Sequence, residues 1–198
     1  NPIFAPDASS WDCGRFGGGV HNGSIIQKDG LFYYIYRGEF PAERVVFTEP
    51  TGRVWEFDYK CDIGVAVSRD GIHFERKTDA PALLTRDIYA CFDHQQVIYV
   101  PDDNQGKCWW MYVHYTHKNG LADVGGYAQY IRIRSADPTC FNMDNGYEIV
   151  HNWHTGNQMG YISDYDGKGH RLFVNITTRY VPTVNYEGKT VRQLVPTL

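Results

Sequence analysis

Ser24-Ile-Ile-Gln-Lys-Asp-Gly-Leu-Phe-Tyr-Tyr-Ile-Tyr36 is the stretch that decides the fold class. Two short runs flank Asp29-Gly30, a dipeptide that supplies the positive-φ positions of a tight hairpin. The second run is aromatic and β-branched, the composition that packs on a pleated sheet. The phrase recurs as Gln96-Val-Ile-Tyr-Val-Pro-Asp-Asp-Asn-Gln-Gly-Lys-Cys-Trp-Trp-Met-Tyr112 and as Tyr161-Ile-Ser-Asp-Tyr-Asp-Gly-Lys-Gly-His-Arg-Leu-Phe173. The first two copies are each followed by a strand-like run ending in Ser and a turn, Ile63–Phe74 and Tyr130–Phe141.

Working outward, further strands are expected at Ile63–Ser68, Cys108–Tyr115, Ala128–Ser135, Gln158–Ser163 and Arg171–Thr177, with almost no 3.6-residue apolar periodicity for a helix. The class is all-β. A unit of roughly 60 to 75 residues holding three or four antiparallel strands has the size of a propeller blade with long loops. Blade-like units are expected at about 20–80, 92–145 and 155–198. A sandwich of hairpins accounts for the strands but not for the repeated order of phrases.

Composition narrows the partners. The 198 residues carry 19 Lys and Arg against 23 Asp and Glu, a net charge of −4 with the basic residues scattered, so neither nucleic acid nor an anionic membrane surface is an expected partner. No apolar run approaches the ~18 residues of a membrane span. With 15 Tyr, 10 Phe and 5 Trp the chain is rich in the rings that stack on flat sugar faces. Cys13, Cys61, Cys91, Cys108 and Cys140 have no zinc spacing, and read either as buried free thiols or as one or two disulfides of an exported protein. Gly17-Gly18-Gly19 lacks the strand and Lys-Ser/Thr helix start of a phosphate loop, and no Gly-x-Ser-x-Gly elbow occurs. No cofactor and no metal site is expected.

Several phrases resemble the five-bladed β-propeller glycosidases, glycoside hydrolase families 32, 43, 62, 117 and 130. Asn1-Pro2-Ile3-Phe4-Ala5-Pro6, Ser10-Trp11-Asp12, Val20-His21-Asn22-Gly23-Ser24-Ile25-Ile26 and Tyr33-Tyr34-Ile35-Tyr36-Arg37-Gly38 look like their first blade. Ile63-Gly64-Val65-Ala66-Val67-Ser68-Arg69-Asp70-Gly71-Ile72-His73-Phe74 is similar to a phrase of the same group and is the most specific match. The fold implied is an incomplete five-bladed propeller with about three blades, because five blades need roughly 300 residues. The chain is therefore expected to be a fragment of a longer protein, or to be completed by another segment or partner. Its start at Asn1-Pro2 without Met fits removal of a leader, and a secreted or periplasmic location is the expectation.

The resemblance implies an oligosaccharide or polysaccharide bound at the funnel mouth, where acids at the starts of the innermost strands act on it. Glycosidic cleavage needs one carboxylate to attack or activate water and one acid to protonate the leaving oxygen. By alignment of blade phrases, the three positions fall at Asn22, at Asp93, and near Gln158. Only Asp93 is a carboxylate. Asp12 or a histidine, His21 foremost, is expected to move the proton. Asn22, His94, Gln95 and Gln158 are candidate hydrogen-bonding partners for the sugar, and Trp11 and Phe92 are candidate stacking platforms. Arg37, in a Tyr-Arg-Gly phrase resembling the mannoside phosphorylases of family 130, reads as an oxyanion ligand or as the ion-pair partner of Glu39 or Asp62. A catalytically degenerate glycan-binding propeller, or a structural module of an assembly, is the competing reading.

Overall fold

A computed structural model describes residues 4–14, 19–48, 54–84, 90–101, 103–117, 128–153, 159–164, 171–184 and 190–197. The all-β expectation holds: the described residues form eleven strands and a single 3-10 turn, Met143–Asn145. The chain divides into two compact units, 1–153 and 154–198.

The first unit contains two four-stranded antiparallel sheets. In one, β1 (Val20–Lys28), β2 (Leu31–Thr48), β3 (Val54–Ser68) and β4 (Glu75–Arg76) follow one another in space as in sequence. In the other, β5 (Ala90–Tyr99), β6 (Trp109–His117), β7 (Ala128–Ser135) and β8 (Glu148–Trp153) do the same. This meander is the arrangement of a propeller blade. The second unit holds β9 (Met159–Asp164), β10 (Arg171–Val184) and β11 (Thr190–Thr197) in the order β11-β10-β9. The first six residues of β10 pair with β9 and the last eight with β11.

Local chemistry explains the registers. Lys28 pairs with Leu31, leaving Asp29 (φ 51°) and Gly30 (φ 74°) as a two-residue turn in the left-handed region that Asp-Gly tolerates. Ser68 and Asp70 build the turn after β3: Ser68 Oγ accepts from the amides of Asp70 (3.2 Å) and Gly71 (2.9 Å), and Asp70 Oδ1 accepts from those of Ile72 (2.9 Å) and His73 (2.8 Å). Several strands exceed the sequence expectation. β2 and β3 continue as a two-stranded arm from Pro41 to Thr48 and from Val54 to Tyr59, with an irregularity between Pro41 and Val45. Proline there has no N–H for a regular ladder, and it marks where the arm departs from the blade. β8 also lies outside the expected list, since Tyr147 to Trp153 mixes polar and apolar residues without strict alternation.

One core joins the two sheets of the first unit. Ile35, Ile63 and Val65 from the first meet Phe92, Val97, Met111, Val113, Ile131 and Ile133 from the second, each at most 3% exposed. Each such aliphatic or aromatic burial is worth roughly 1.5 to 3 kcal/mol. The connector between the sheets is stitched into both. The Ala82 and Leu83 amides donate to the Ile63 carbonyl at 2.7 and 3.1 Å, and the Phe141 amide donates to the Ala82 carbonyl at 2.7 Å.

The opposite face of the first sheet is covered by the N-terminal segment. Trp11 stacks on Tyr36 at 6.0 Å and meets Phe40 edge-on at 6.2 Å, and Phe4 packs on Tyr34 and Tyr36. A Cβ at position 38 would lie 2.2 Å from the Trp11 ring and one at position 64 would lie 2.7 Å from it, so Gly38 and Gly64 make the trough in which the indole lies.

Candidate functional site

The innermost strands of the two sheets, β1 and β5, lie side by side in the first unit. Each is regular except at one place. The β1–β2 register shifts between His21 and Gly23, so Asn22 is bulged, and the β5–β6 register shifts between Asp93 and Gln96, so His94 and Gln95 are bulged. Bulges break the pleat and re-aim side chains, and they concentrate beside binding sites. Here they coincide with the positions at which the sequence placed Asn22, Asp93, His94 and Gln95. Asp93 is the last paired residue before the bulge, opposite His114.

Gln95 ties the bulges together. It is 6% exposed, and its Nε2 donates to the Asn22 carbonyl at 2.5 Å and to the Ile35 carbonyl at 3.2 Å. The amide proposed from sequence as a sugar ligand thus donates to main chain. Asn22 itself is exposed. The side chains of Asp93 and His94 lie outside the described part of the structure, as does Gln158 entirely.

Beside the Asn22 bulge stands a charged cluster on the face of β2 that looks toward the second sheet. Arg37 Nη2 donates to Glu39 Oε2 at 3.0 Å, the pairing that the sequence allowed, and His21 Nε2 lies 3.5 Å from the same oxygen. Arg37 and Glu39 are 15% and 12% exposed, whereas His21 is 40% exposed. The cluster is therefore half-sunk, with the imidazole as its open end.

The other nominated residues lie elsewhere in the packing. Asp12 is fully buried under the N-terminal segment, and both its oxygens accept from Arg76 Nε, at 3.1 and 3.0 Å, with Arg76 Nη2 at 2.9 Å from Oδ2. Arg76 also donates to the Ala5 carbonyl at 2.8 Å and caps the Phe4 ring at 4.6 Å. Burial, reinforced by the Asp12 charge and a hydrogen bond to it, pushes the Tyr36 hydroxyl far above the ordinary phenol range, so it stays protonated as a donor. Phe92 is 0% exposed and packs on Tyr115 at 5.3 Å, within the core. Trp11 spends its faces on Tyr36 and Phe40. Arg76 is the partner that sequence reasoning did not single out, whereas Glu39, two positions from Arg37 on one strand face, was read from sequence as its ion-pair partner.

Among the described residues Cys61, which is buried, Cys13 and Cys108, which are half-buried, and Cys140, which is exposed, are in no disulfide, while the Cys91 side chain is outside the described residues. Among the described residues no group of three or more His, Cys, Asp or Glu side chains is placed to hold a metal, and no helix is long and apolar enough to cross a membrane.

No known protein-family profile matches the chain, and no curated protein sequence matches it. Solved structures do. A glycosyl hydrolase from Bacteroides ovatus superposes with a TM-score of 0.53 at 14% identity, over 97% of this chain and 58% of that one. The likeness is one of fold. A GH32 β-fructofuranosidase of Bombyx mori (TM-score 0.48, 15% identity, 87% of this chain and 36% of that one) and the α-L-arabinanase of Cellvibrio cellulosa (0.37, 14%, 98% and 84%) are looser matches. The chain thus spans about a third to somewhat over half the length of the first two.

Proposed function

We propose that the chain contributes the sugar-binding and bond-cleaving face of a glycosidase-type propeller, with a glycan lying across the inner strands at the Asn22 and His94-Gln95 bulges. The observation that carries this reading is the coincidence of those two bulges, tied by Gln95, at the places where a propeller glycosidase presents its reactive groups. Asp93 is assigned the carboxylate that attacks the anomeric carbon or activates water against it. His21 is assigned the proton transfer: the glycosidic C–O bond breaks as its oxygen takes a proton from the imidazolium, and water supplies the hydroxyl to the anomeric carbon and returns a proton. Asn22 and His94 are assigned to sugar hydroxyls, Gln95 to holding the strands, and Asp12 to the fold. Arg37 is assigned to Glu39 rather than to phosphate, which favours hydrolysis over phosphorolysis. The exported location expected from sequence goes with this reading and is checked by cell fractionation.

The test is cleavage of a panel of aryl glycosides and oligosaccharides, with and without phosphate, by the protein and its Asp93→Asn variant. Asparagine keeps the shape and removes the charge, so turnover is expected to fall by about a hundredfold to ten-thousandfold while sugar affinity moves little. Cleavage that survives Asp93→Asn unchanged would eliminate this mechanism. A neutral, exposed Asn22 at the first-strand bulge favours the second reading, a glycan-binding module, and binding without cleavage in the unmodified protein would select it.

A further inference from the structure

We infer that Glu39 is the positioning residue of the site: it holds the His21 ring in the orientation from which His21 exchanges its proton with the sugar. This rests on the glycosidase reading above and adds to it a residue and a role.

Glu39 is fixed at both main-chain groups and at its side chain. Its amide donates to the Gly19 carbonyl at 2.7 Å, and its carbonyl accepts from the Gly14 amide at 2.9 Å. Gly14 and Gly19 thus close the edge of β2 beyond the end of β1, where an open strand would otherwise leave these groups unpaired. The carboxylate is then clamped by Arg37, two residues back on the same strand face. A carboxylate at 12% exposure is costly unless compensated, and the Arg37 guanidinium compensates it without leaving the strand. Glu39 Oε2, held in that way, stands 3.5 Å from His21 Nε2.

The pair fits proton transfer better than fold maintenance. His21 is directly opposite Arg37 in the β1–β2 register and adjoins the bulged Asn22, so a turn of the imidazole is coupled to the sugar-facing end of β1. A carboxylate beside one ring nitrogen biases the tautomer toward a proton on that nitrogen and limits ring rotation. The charged groups that meet it on the face of β2 are Arg37, opposite it in the ladder, and Glu39. Of these, Glu39 is the carboxylate in ion-pair contact with the imidazole.

The experiment has two arms on the same proteins, the unmodified chain and its Glu39→Gln, Glu39→Asp and His21→Gln variants. Nitrogen-15 NMR of labelled histidine reads the His21 tautomer, and steady-state kinetics on the best glycoside of the panel reads kcat and KM. Glu39→Gln is expected to shift His21 away from the Nε2–H form and to lower kcat by about tenfold to a hundredfold, with KM within about twofold. Glu39→Asp, which keeps the charge and the Arg37 contact, is expected to restore most of both. Glu39→Gln combined with His21→Gln is expected to cost no more than His21→Gln alone. An unchanged tautomer, or a loss spread over kcat, KM and melting temperature alike, would overturn the proposal. If the unmodified protein cleaves no glycoside, the glycosidase reading fails on its own and the tautomer arm still decides whether Glu39 holds His21.

Discussion

The two faces of the first sheet carry the same chemical kit, a carboxylate and an arginine, and put it to opposite uses. On the face covered by residues 4–14, Asp12 is fully buried and takes the whole Arg76 fork, with Tyr36 donating beside it and Trp11 sealing the trough over Gly38 and Gly64. On the face toward the second sheet, Glu39 takes one nitrogen of Arg37 and keeps an oxygen within reach of His21, which is open to solvent. The difference is burial. A pair whose carboxylate is wholly buried can only hold structure, because the acid cannot change charge or meet a ligand without stranding its partner. A half-sunk pair with one open end can transmit orientation to a group that moves protons. The two carboxylates thus differ by what surrounds them and not by type.

The largest effect that this contrast implies is on stability, and it falls on the closed face. Asp12→Ala leaves the largely buried Arg76 guanidinium and the buried Tyr36 hydroxyl without their carboxylate, and is expected to cost about 3 to 5 kcal/mol, read by urea denaturation. Glu39→Gln in the same assay is expected to cost no more than about 1 kcal/mol, since water reaches the open end of that cluster. A double variant, Asp12→Leu with Arg76→Met, is expected to recover much of the loss, because removing both charges leaves no unpaired ion. Equal costs for Asp12→Ala and Glu39→Gln would erase the distinction between the faces.

A smaller effect is expected where the two sheets are joined. Gln95→Leu keeps the volume but removes the donor to the Asn22 and Ile35 carbonyls. Taking the donor from one buried and one part-buried carbonyl is expected to cost about 1 to 3 kcal/mol. Because those bonds hold the bulges, sugar affinity measured by calorimetry is expected to fall as well, by more than for a substitution of equal stability cost in the core, such as Val113→Ala. A loss of stability with no extra loss of affinity would show that Gln95 serves the fold and not the site.

How much of this was legible in the sequence depends on the range of each interaction. The Asp29-Gly30 turn and the Ser68-Arg69-Asp70-Gly71 turn are local, made within four residues, and so the hairpins and the all-β class could be read directly. The Arg37–Glu39 pair is also local, since residues i and i+2 share a strand face. Asp12 and Arg76 are 64 positions apart, and nothing near Asp12 distinguishes a buried counter-ion from a proton donor; only the folding of residues 4–14 back onto the sheet does. Gln95 and Asn22 are 73 apart and meet through one amide and a main-chain carbonyl, which leaves no pattern in side-chain type. The arm of β2 and β3 was missed because Pro41, Glu43 and Arg44 look like a strand ending, whereas the ladder resumes at Val45 opposite Phe57. Phe92 looked like a sugar platform because it lies ahead of the expected strand Gln96–Tyr99, whereas the strand begins at Ala90 and Phe92 packs on Tyr115 across the ladder on β6.

The smallest expected effect belongs to the turn after β3, whose His73–Asp70 pair is open to water and so tests the role of burial from the far side. His73 Nδ1 lies 2.6 Å from Asp70 Oδ2. The hydrogen bond to Asp70 and then its charge raise the His73 pKa above its ordinary value, while bonds from His73 and from the Ile72 amide hold Asp70 well below the usual carboxylate range. For His73 the folded value is raised, so the contribution is fully present below the unfolded value and is lost as pH rises through the folded one. For Asp70 the folded value is lowered, so its contribution is present above the ordinary carboxylate value and is lost as pH falls through the folded one. The turn is therefore expected to be tightest between those limits, in mildly acid solution. Hydrogen exchange at the Ile72 and His73 amides, both bonded to Asp70 Oδ1, should be slowest there after correction for the intrinsic rate, and should quicken on either side. The melting temperature should show no matching step, because exposed pairs of this kind are screened and their ordering is offset by side-chain entropy. His73→Ala should remove the alkaline limb of the exchange profile and leave the acid limb, which comes from Asp70 accepting main-chain N–H bonds. If the alkaline limb survives that substitution, the imidazole is not what holds Asp70 in place.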